Sequence, residues 1–353
     1  MTPEITKHRP GVLDGLDWIM DQSRRHLDKV NEWAPDLRSR LRDFASRGKL
    51  IRGSLVAIGA EIYGTQPGND IYRVAAAMEL IQSFLLIHDD IMDEDRLRRG
   101  KPAVFEQYRR LGEGEGYRNP DRFGESMGIC AGDVGMLLAF EGIACTGLEG
   151  TVQRDLMCML SREIADVGVA QMGDVAHGHT TQAAPESHIL AVYRYKTGRY
   201  TFSLPLSLGA RIAGAPPEEI ELLADWGELQ GVIFQIRDDQ LGLMEADEDT
   251  GKPAGSDIIA DKQTLHKLLL AERASGTQWE DVLALFGKET LSPDEVLRVR
   301  QALEALSVPA AIESRIEAMY EEAAAILRKL AAPPENGRNL LTALAEYNVS
   351  RRR

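Results

Sequence analysis

The chain has 353 residues, of which 44% are hydrophobic and 27% charged, a balance that excludes the disordered and fibrous classes of protein. Its 41 Lys and Arg against 55 Asp and Glu give a formal net charge of −14, which disfavours nucleic acid as the main partner because polyphosphate binding needs clustered basic charge. The first residues contain no apolar signal-peptide core, and the chain contains no uninterrupted apolar run long enough to span a bilayer. We therefore predict a cytoplasmic protein without a membrane span.

The cysteine pattern points to a reducing environment. Cys130, Cys145 and Cys158 are an odd count without a CxxC spacing, which argues against a disulfide framework and a thiolate zinc site. We predict that all three are small, buried apolar side chains.

Apolar residues recur along the chain with the period of an α-helix. One helical face, with the spacing i, i+3, i+4, i+7, i+10 and i+11, is formed by Val74, Ala77, Met78, Ile81, Phe84 and Leu85, and similar stripes occupy 132–148, 220–236 and 312–330. Clusters of Gly, Pro and charged residues separate the helical stretches at 64–69, 112–124, 185, 215–217, 248–255 and 333–337. Since no sustained strand pattern occurs and no break resembles a linker, we predict an all-α fold with one domain over residues 1–353.

An apolar helix leads into a dense acidic cluster at residues 85–95. Asp89 and Asp93 are i, i+4 neighbours on one helical face, with Asp90 beside them, and like charges at that spacing repel each other. One interpretation is a solvated helix end. The other is a site for a hard cation, since Mg²⁺ takes carboxylate oxygens and bridges them to substrate phosphates.

A second polar cluster favours the cation site. Gln235, Asp238 and Asp239 stand at i, i+3 and i+4, so an amide and two carboxylates leave one face of an otherwise apolar helix. Two such clusters, each at the end of an apolar helix, predict facing walls of one cavity. Gln171 and Asp174 form a smaller i, i+3 pair, for which exposed surface is an equal alternative.

Basic residues accompany both acidic clusters. Arg suits bidentate binding of phosphate, and Lys neutralises it as a point charge. Each of these residues alone is consistent with a solvated surface charge, but together with two metal-ligand clusters they predict a pocket for diphosphates held by Mg²⁺. The residues are Lys49, Arg52, Arg98, Arg99, Lys101, Lys196, Lys252 and Lys262.

Eight short motifs follow one another between about residues 45 and 265. They are Gly48-Lys49-x-x-Arg52, Glu79-x-x-Gln82 leading into His88-Asp89-Asp90-x-x-Asp93, Arg98-Arg99-Gly100-x-Pro102, Gly132-Asp133, Gln171-x-x-Asp174, Lys196-Thr197, Phe234-Gln235-x-x-Asp238-Asp239, and Gly251-Lys252-Pro253-x-Gly255-x-Asp257 with Lys262. In this order the motifs resemble those of the trans-isoprenyl diphosphate synthases, the polyprenyl synthetase family.

The resemblance implies an all-α fold of antiparallel helices around a central cavity, usually as a homodimer, with the two acidic clusters opposed at its mouth. It implies a prenyltransferase that condenses isopentenyl diphosphate with allylic diphosphates, uses three Mg²⁺ and leaves the proton to the released diphosphate. By the same resemblance, the metal ligands are Asp89, Asp90, Asp93, Asp238 and Asp239. Asp89 and Asp90 are also expected to be catalytic. The allylic diphosphate would contact Arg98, Lys196, Lys252 and Lys262, isopentenyl diphosphate would contact Lys49, Arg52, Gln82 and Arg99, and Lys196, Thr197 and Gln235 would line the reacting carbons.

The resemblance also implies which residues limit the length of the product. In the family the growing chain extends until it meets bulk on the helix before the first acidic motif, and Phe84, five residues before Asp89, is the expected floor, with Leu85 beside it. A floor of one aromatic ring resembles the archaeal-type geranylgeranyl (C20) synthases, with farnesyl (C15) and C25 synthases as alternatives. A plain core position for Phe84 stays open as the other interpretation.

Three positions depart from the commonest family pattern. Leu50 stands where an Arg is frequent, and Arg47 where a second Gly is frequent. Gly242 stands where the second motif often ends in Asp, which leaves that cluster one carboxylate short.

Other classes of protein fit the sequence less well. A class I terpene cyclase would also use Asp-rich motifs and Mg²⁺, but its second motif wants Ser or Thr at Gly242 and Glu at Ala246. A non-catalytic partner subunit of a heteromeric synthase would usually have lost the acidic motifs that are intact here. An EF-hand fails because Ile258 stands where the calcium loop needs its closing Glu.

Overall fold

The computed structural model describes residues 3–179, 183–244 and 255–350, and within these ranges almost all regular structure is helical. The α-helices are α1 (Pro3–Thr6), α2 (Arg9–Leu27), α3 (Trp33–Ser46), α4 (Ile51–Ile62), α5 (Asn69–Met92), α6 (Val104–Gly114), α7 (Pro120–Ala144), α8 (Gly150–Gly178), α9 (Glu186–Ala191), α10 (Leu204–Ile212), α11 (Pro217–Met244), α12 (Ser256–Ile259), α13 (Leu265–Arg273), α14 (Glu280–Leu283), α15 (Pro293–Ala305), α16 (Val308–Leu327) and α17 (Glu335–Ser350). The other elements are the antiparallel strands β1 (Leu97–Arg98) and β2 (Lys101–Pro102), a π-helical segment (Val192–Ser203) and a 3₁₀ turn (Thr277–Trp279). The all-α prediction is confirmed.

The chain divides into two compact units. The first unit comprises Met1–Met159 and Pro205–Pro216, and the second comprises Leu160–Leu204 and Pro217–Arg353. The first acidic cluster belongs to the first unit and the second acidic cluster to the second unit.

Helix α5 is the centre of the first unit, where it packs against α2, α4 and α7. The first part of its predicted stripe is confirmed, because Val74, Ala77 and Ile81 have no exposed surface. Phe84 and Leu85, further along the same helix, are only partly buried. Ile87, one turn further along α5, again has no exposed surface, so the partial exposure is confined to Phe84, Leu85 and Leu86 on this part of the helix. Both interpretations of Phe84 stay predictions.

Two glycines let helices α4 and α10 touch within the first unit. A β-carbon on Gly59 would stand 2.3 Å from the carbonyl oxygen of Leu206, and one on Gly209 would stand 2.1 Å from that of Val56. No side chain fits at such distances, so the two helices pack backbone to backbone.

Helix α11 is the long helix of the second unit and packs against the π-helical segment and α16. A β-carbon on Gly231 would lie 2.2 Å from the Cα of Gly198, so the π-helical segment and α11 are in direct backbone contact. Such π-helical turns are rare and occur often at functional sites. Lys196 and Thr197 immediately precede Gly198 at this crossing, and Gln235 lies one turn beyond Gly231 on α11.

Two helices are long and apolar enough to cross a membrane by length and composition, namely Asn69–Met92 and Pro120–Ala144. In their most apolar windows 67% and 44% of the residues are buried within the fold. A buried core helix passes the same test, so the absence of a membrane span stays a prediction.

The prediction that the three cysteines are buried is wrong, because Cys130, Cys145 and Cys158 are all exposed. In α8, Leu156 and Leu160 face the core with no exposed surface, and Cys158 lies half a turn from both. Cys130 is likewise off the buried stripe of α7, and Cys145 is the residue that ends that helix. Apolar character alone therefore misassigned side chains that lie on the outer faces of amphipathic helices.

Candidate active site

A short hairpin after α5 brings Arg98 back to the first acidic cluster, at residues 85–95. Strands β1 and β2 pair Arg98 with Lys101, and the two residues between them, Arg99 and Gly100, both have positive φ, as a type I′ turn requires. The hairpin thereby points Arg98 at Asp90, with its Nε 2.6 Å from Asp90 Oδ1.

Asp90 is the buried member of the first acidic cluster. Its side chain has no exposed surface, and its Oδ2 lacks a hydrogen-bond partner among the residues that the structure describes. Burial raises the pKa of Asp90 to about 7, although the Arg98 guanidinium opposes that shift. Asp89 is partly exposed and Asp93 is exposed, so these two carboxylates can reach a ligand more easily than Asp90.

A cationic cluster lies at the start of α4 and is held by one buried carboxylate, Glu79. Glu79 on α5 is 6% exposed and its Oε1 accepts the backbone N–H of Gly53 at 2.7 Å. Burial raises the pKa of Glu79, while that hydrogen bond and the Arg52 and Arg99 guanidinium groups oppose the shift. The structure thus brings Arg52 and Arg99 together, and places Gln82 one turn beyond Glu79 on the same helix.

The backbone before α4 turns sharply to present this cluster. Gly48 has φ 86° and Leu50 has φ 49°, so two left-handed residues flank Lys49. Lys49 is exposed, whereas Leu50 is buried at 3% exposure. A β-carbon on Gly48 would lie 2.4 Å from Arg99 Nη1, so a side chain at that position would displace the Arg99 guanidinium.

Phe84 lies on the last turns of α5 before the acidic cluster. Its ring meets the His88 ring edge-on, with centroids 4.9 Å apart. His88 Nε2 lies 3.2 Å from the carbonyl oxygen of Ile129 on α7. The Phe84 ring is therefore supported by a second ring that α7 holds in place.

The second unit carries the other half of the predicted site residues. Lys196, in the π-helical segment, donates to Asp174 Oδ2 on α8 at 2.6 Å. Thr197 follows it and is partly exposed. Of the predicted pair Gln171 and Asp174, the structure therefore places Asp174 beside Lys196.

Helix α11 presents the second acidic cluster with its two carboxylates in different environments. Asp238 is partly exposed, while Asp239 has no exposed surface. Asp239 Oδ1 accepts from Gln235 Nε2 and from Lys262 Nζ, each at 2.9 Å. Gln235 and Asp239 thus share one helical face, as the spacing predicts, and Asp239 is the buried acceptor of the other groups.

A carboxylate from another segment lies beside Gly242. A β-carbon on Gly242 would lie 2.7 Å from Asp257 Oδ2, and Lys262 Nζ lies 3.8 Å from the same oxygen. In the commoner motif an Asp stands at position 242. Here the carboxylate of Asp257 lies where the β-carbon of that Asp would make contact, so it takes up the space next to Gly242. Lys252, predicted as an allylic-diphosphate ligand, lies outside the described residues.

The donor set suits a hard cation that is shared with substrate. Among residues 3–179, 183–244 and 255–350, no three His, Cys, Asp or Glu side chains are grouped closely enough to hold a metal ion by themselves. Magnesium, however, is usually held by one or two carboxylates together with water and substrate phosphates. The partly exposed carboxylates and the partnerless Asp90 Oδ2 fit that mode of binding.

The comparison with known proteins gives the family. The polyprenyl synthetase family model matches residues 35–305. The chain belongs to the polyprenyl synthetase family. This polyprenyl synthetase is a trans-prenyltransferase, and enzymes of this family generally depend on divalent metal.

Individual relatives agree with that assignment. The chain is 33% identical over 299 residues to a short chain isoprenyl diphosphate synthase of Methanothermobacter thermautotrophicus, covering 83% of this chain and 85% of the relative. It is 31% identical over 345 residues to a geranylgeranyl diphosphate synthase of Methanosarcina mazei, covering 95% and 98%. The fold matches a geranylgeranyl pyrophosphate synthase from Corynebacterium glutamicum complexed with isoprenyl diphosphate and magnesium, with a TM-score of 0.90, 29% identity and 99% of each chain covered.

Sequence reasoning on this polyprenyl synthetase missed roles that depend on contacts distant in sequence. Glu79 belongs to a predicted motif, but its position in the sequence does not indicate that it lies near both Arg52 and Arg99. Asp257 was likewise a motif residue without a role, and its contact with Gly242 emerges only in the fold. The glycine at 242 was the available signal, because a missing side chain leaves room for a neighbour.

Proposed function

We propose that this polyprenyl synthetase condenses isopentenyl diphosphate with an allylic diphosphate to make a short-chain all-trans prenyl diphosphate, with geranylgeranyl diphosphate (C20) as the product. The observation that carries the proposal is the cationic cluster of Arg52 and Arg99 around buried Glu79. A cyclase that binds one diphosphate has no use for this cluster in addition to the acidic clusters. A condensing enzyme needs it for its second diphosphate.

The reaction requires positive charge around two diphosphates. Ionising the allylic diphosphate creates a carbocation and a highly charged leaving group, which fixed cations stabilise in a site that excludes water. Arg98, Lys196 and Lys262 are proposed to hold the leaving diphosphate, and Lys49 with Arg52 and Arg99 to hold isopentenyl diphosphate. Bound Mg²⁺ would supply further positive charge to the leaving group. The released diphosphate accepts the proton that the condensation releases.

The carboxylates divide into two proposed roles. Asp89, Asp93 and Asp238 are the accessible carboxylates and are proposed as the metal ligands, with three Mg²⁺ by resemblance to the family. Asp90 and Asp239 have no exposed surface and hold Arg98 and Lys262. Their proposed role is to fix these cations, with Asp90 Oδ2 left as an additional metal donor.

Chain length is proposed to be set by Phe84. The ring is only partly buried, and it is supported edge-on by His88. A supported ring at this point of α5 would stop an isoprenoid chain at C20, whereas a smaller side chain would let it extend.

The protein is further proposed to act as a cytoplasmic homodimer. The resemblance to the family supports the dimer, and Leu137 on α7 with Val169 and Met172 on α8 are exposed large apolar side chains of the kind that protein interfaces cover. Light scattering of the purified chain would give twice the monomer mass if this is correct, and cell fractionation tests the compartment.

The function is tested by incubating purified protein with isopentenyl diphosphate and each of the C5, C10 and C15 allylic diphosphates, with Mg²⁺ or with EDTA. We expect Mg²⁺-dependent consumption of isopentenyl diphosphate, no turnover in EDTA, and a C20 alcohol after dephosphorylation. A cyclase would consume the allylic substrate alone, and a non-catalytic subunit would consume neither.

A further inference from the structure

The hydroxyl of Tyr193 joins three helical elements inside the second unit. Tyr193 belongs to the π-helical segment, three residues before Lys196, and is 3% exposed within the apolar core of that unit. Its hydroxyl donates to Asp239 Oδ2 on α11. The same hydroxyl accepts the backbone N–H of Leu265, the first residue of α13, at 3.1 Å.

These bonds complete the set around Asp239. Gln235 and Lys262 both donate to Oδ1 of this carboxylate, so Tyr193 is the partner of the opposite oxygen. Burial and the neighbouring Asp239 raise the pKa of Tyr193 well above its ordinary value, which keeps the phenol protonated and able to donate. An Asp carboxylate bonded at both oxygens cannot rotate about its terminal torsion without losing a bond.

The bond to Leu265 fixes the segment that carries Lys262. The first N–H groups of a helix have no partner within the helix, and here the Tyr193 hydroxyl supplies one for α13. Lys262 lies three residues before this helix, and Thr264 caps it by accepting the N–H of Lys267. Tyr193 therefore restrains Lys262 in two ways. Its hydroxyl holds Asp239, which is the partner of the Lys262 side chain, and it also anchors the backbone of Leu265, three residues after Lys262.

We propose that Tyr193 is a positioning residue of the allylic-diphosphate site, where it orients Lys262 and Gln235 through Asp239. The inference rests on the proposed function of this site. Tyr193 is not proposed to contact substrate; its role is to hold an exposed cation and a partly exposed amide at fixed positions through the buried carboxylate of Asp239. The sequence motifs include Lys196 and Thr197 but give no role to the tyrosine that precedes them.

The test compares Tyr193→Phe with the matched variant Tyr108→Phe. Both keep the ring and remove one buried hydroxyl, since Tyr108 is 1% exposed with its hydroxyl bonded to Asp36 in the first unit. We expect Tyr193→Phe to raise KM for the allylic substrate roughly tenfold, the usual effect of losing a hydrogen bond to a charged group, and to leave KM for isopentenyl diphosphate within about twofold. Tyr108→Phe should lower the melting temperature without moving either constant.

A second readout is independent of turnover. Calorimetry with inorganic diphosphate and Mg²⁺ should show the same roughly tenfold weakening in Tyr193→Phe and none in Tyr108→Phe. Asp239→Asn should reproduce this defect, and adding Tyr193→Phe to it should cause little further loss, because both changes remove one coupled bond.

Two results would overturn the inference: a Tyr193→Phe protein that binds the allylic substrate and diphosphate as well as Tyr108→Phe does, or fully additive losses in the double variant. A wild-type protein that condenses no allylic substrate would refute the proposed function instead, and the calorimetric comparison would still decide the role of Tyr193.

Discussion

Gly242 lies against the carboxylate of Asp257, with room for no side chain between them: a β-carbon at 242 would be 2.7 Å from Asp257 Oδ2. The second acidic motif is thus not simply one carboxylate short. A carboxylate that arrives from another segment stands where the side chain of the commoner motif would begin.

The Gly242→Ala variant tests this relationship. The added methyl group should displace the Asp257 side chain rather than the backbone, so activity should fall roughly tenfold. The free energy of unfolding should stay the same or rise by up to about 1 kcal/mol, because Ala is the better helix former. Steady-state kinetics and chemical denaturation give both quantities. The control is Gly168→Ala in α8, where a β-carbon would meet no atom within 4 Å; equal kinetic effects in the two variants would refute a role for the Asp257 position.

Glu79→Gln tests the cationic cluster. The substitution keeps an acceptor for the Gly53 N–H but removes the charge that offsets Arg52 and Arg99. We expect KM for isopentenyl diphosphate to rise roughly tenfold, because Arg52 and Arg99 lose the carboxylate charge near them. Stability should change little, because the ionised carboxylate that is removed is itself disfavoured by burial, which raises the pKa of Glu79.

The matched control for this variant is Glu106→Gln, which breaks another buried carboxylate–arginine set in the same unit. Glu106 is 2% exposed and its carboxylate accepts from Arg109 and Arg110, each at 2.6 Å at the shortest. The Glu106→Gln variant should lose stability without a change in KM for isopentenyl diphosphate. A matching rise in KM there would mean that the effect of Glu79→Gln is general destabilisation.

Phe84→Ser tests the product-length proposal. Removal of the ring should lengthen the products beyond C20, which chromatography of the dephosphorylated alcohols would detect. Leu86→Ser is the control, because Leu86 is also partly buried on α5 but points about 200° away around the helix. An active Phe84→Ser enzyme with an unchanged product profile would refute the assignment.

His266 makes stability depend on pH in a defined window. It is 1% exposed, neither ring nitrogen has a hydrogen-bond partner in the described part of the chain, and burial lowers its pKa to about 4. The unfolded chain, with a pKa near 6.5, binds the proton more readily, so stability should fall by up to roughly 3 kcal/mol as pH drops from about 6.5 to 4.

The comparison of wild type with His266→Leu isolates this contribution. Urea denaturation between pH 7.5 and 4.5 should show a smaller loss on acidification in the variant. The exposed His179, replaced by Leu, should leave the wild-type pH dependence unchanged. Parallel curves for wild type and His266→Leu would contradict the pKa shift.

The sequence predicts those parts of the fold that depend on local periodicity. The stripe at Val74 and Ile81 repeats every helical turn, and its burial follows from that spacing alone. The hairpin that carries Arg98 has strands of only two residues, which are too short to show any alternation, so it could not be predicted from the residue pattern. The exposure of Cys158 shows the other limit, since residue type does not reveal which face of a helix turns outward.

The candidate site follows the same division. The motifs identified the groups of charges, because carboxylates at i, i+4 and cations near them are visible in one dimension. The assignments of individual residues to metal and substrate stay predictions. Contacts such as Tyr193 with Asp239 and Gly242 with Asp257 join distant segments, so they depend on helix packing and could not be inferred from spacing.

The most direct test is mass spectrometry of the product formed from farnesyl diphosphate and isotope-labelled isopentenyl diphosphate in the presence of Mg²⁺. Condensation predicts a C20 diphosphate that carries the label in one added isoprene unit, with inorganic diphosphate released in equal amount. An unlabelled hydrocarbon, or unchanged substrates with this and every other allylic starter, would contradict it.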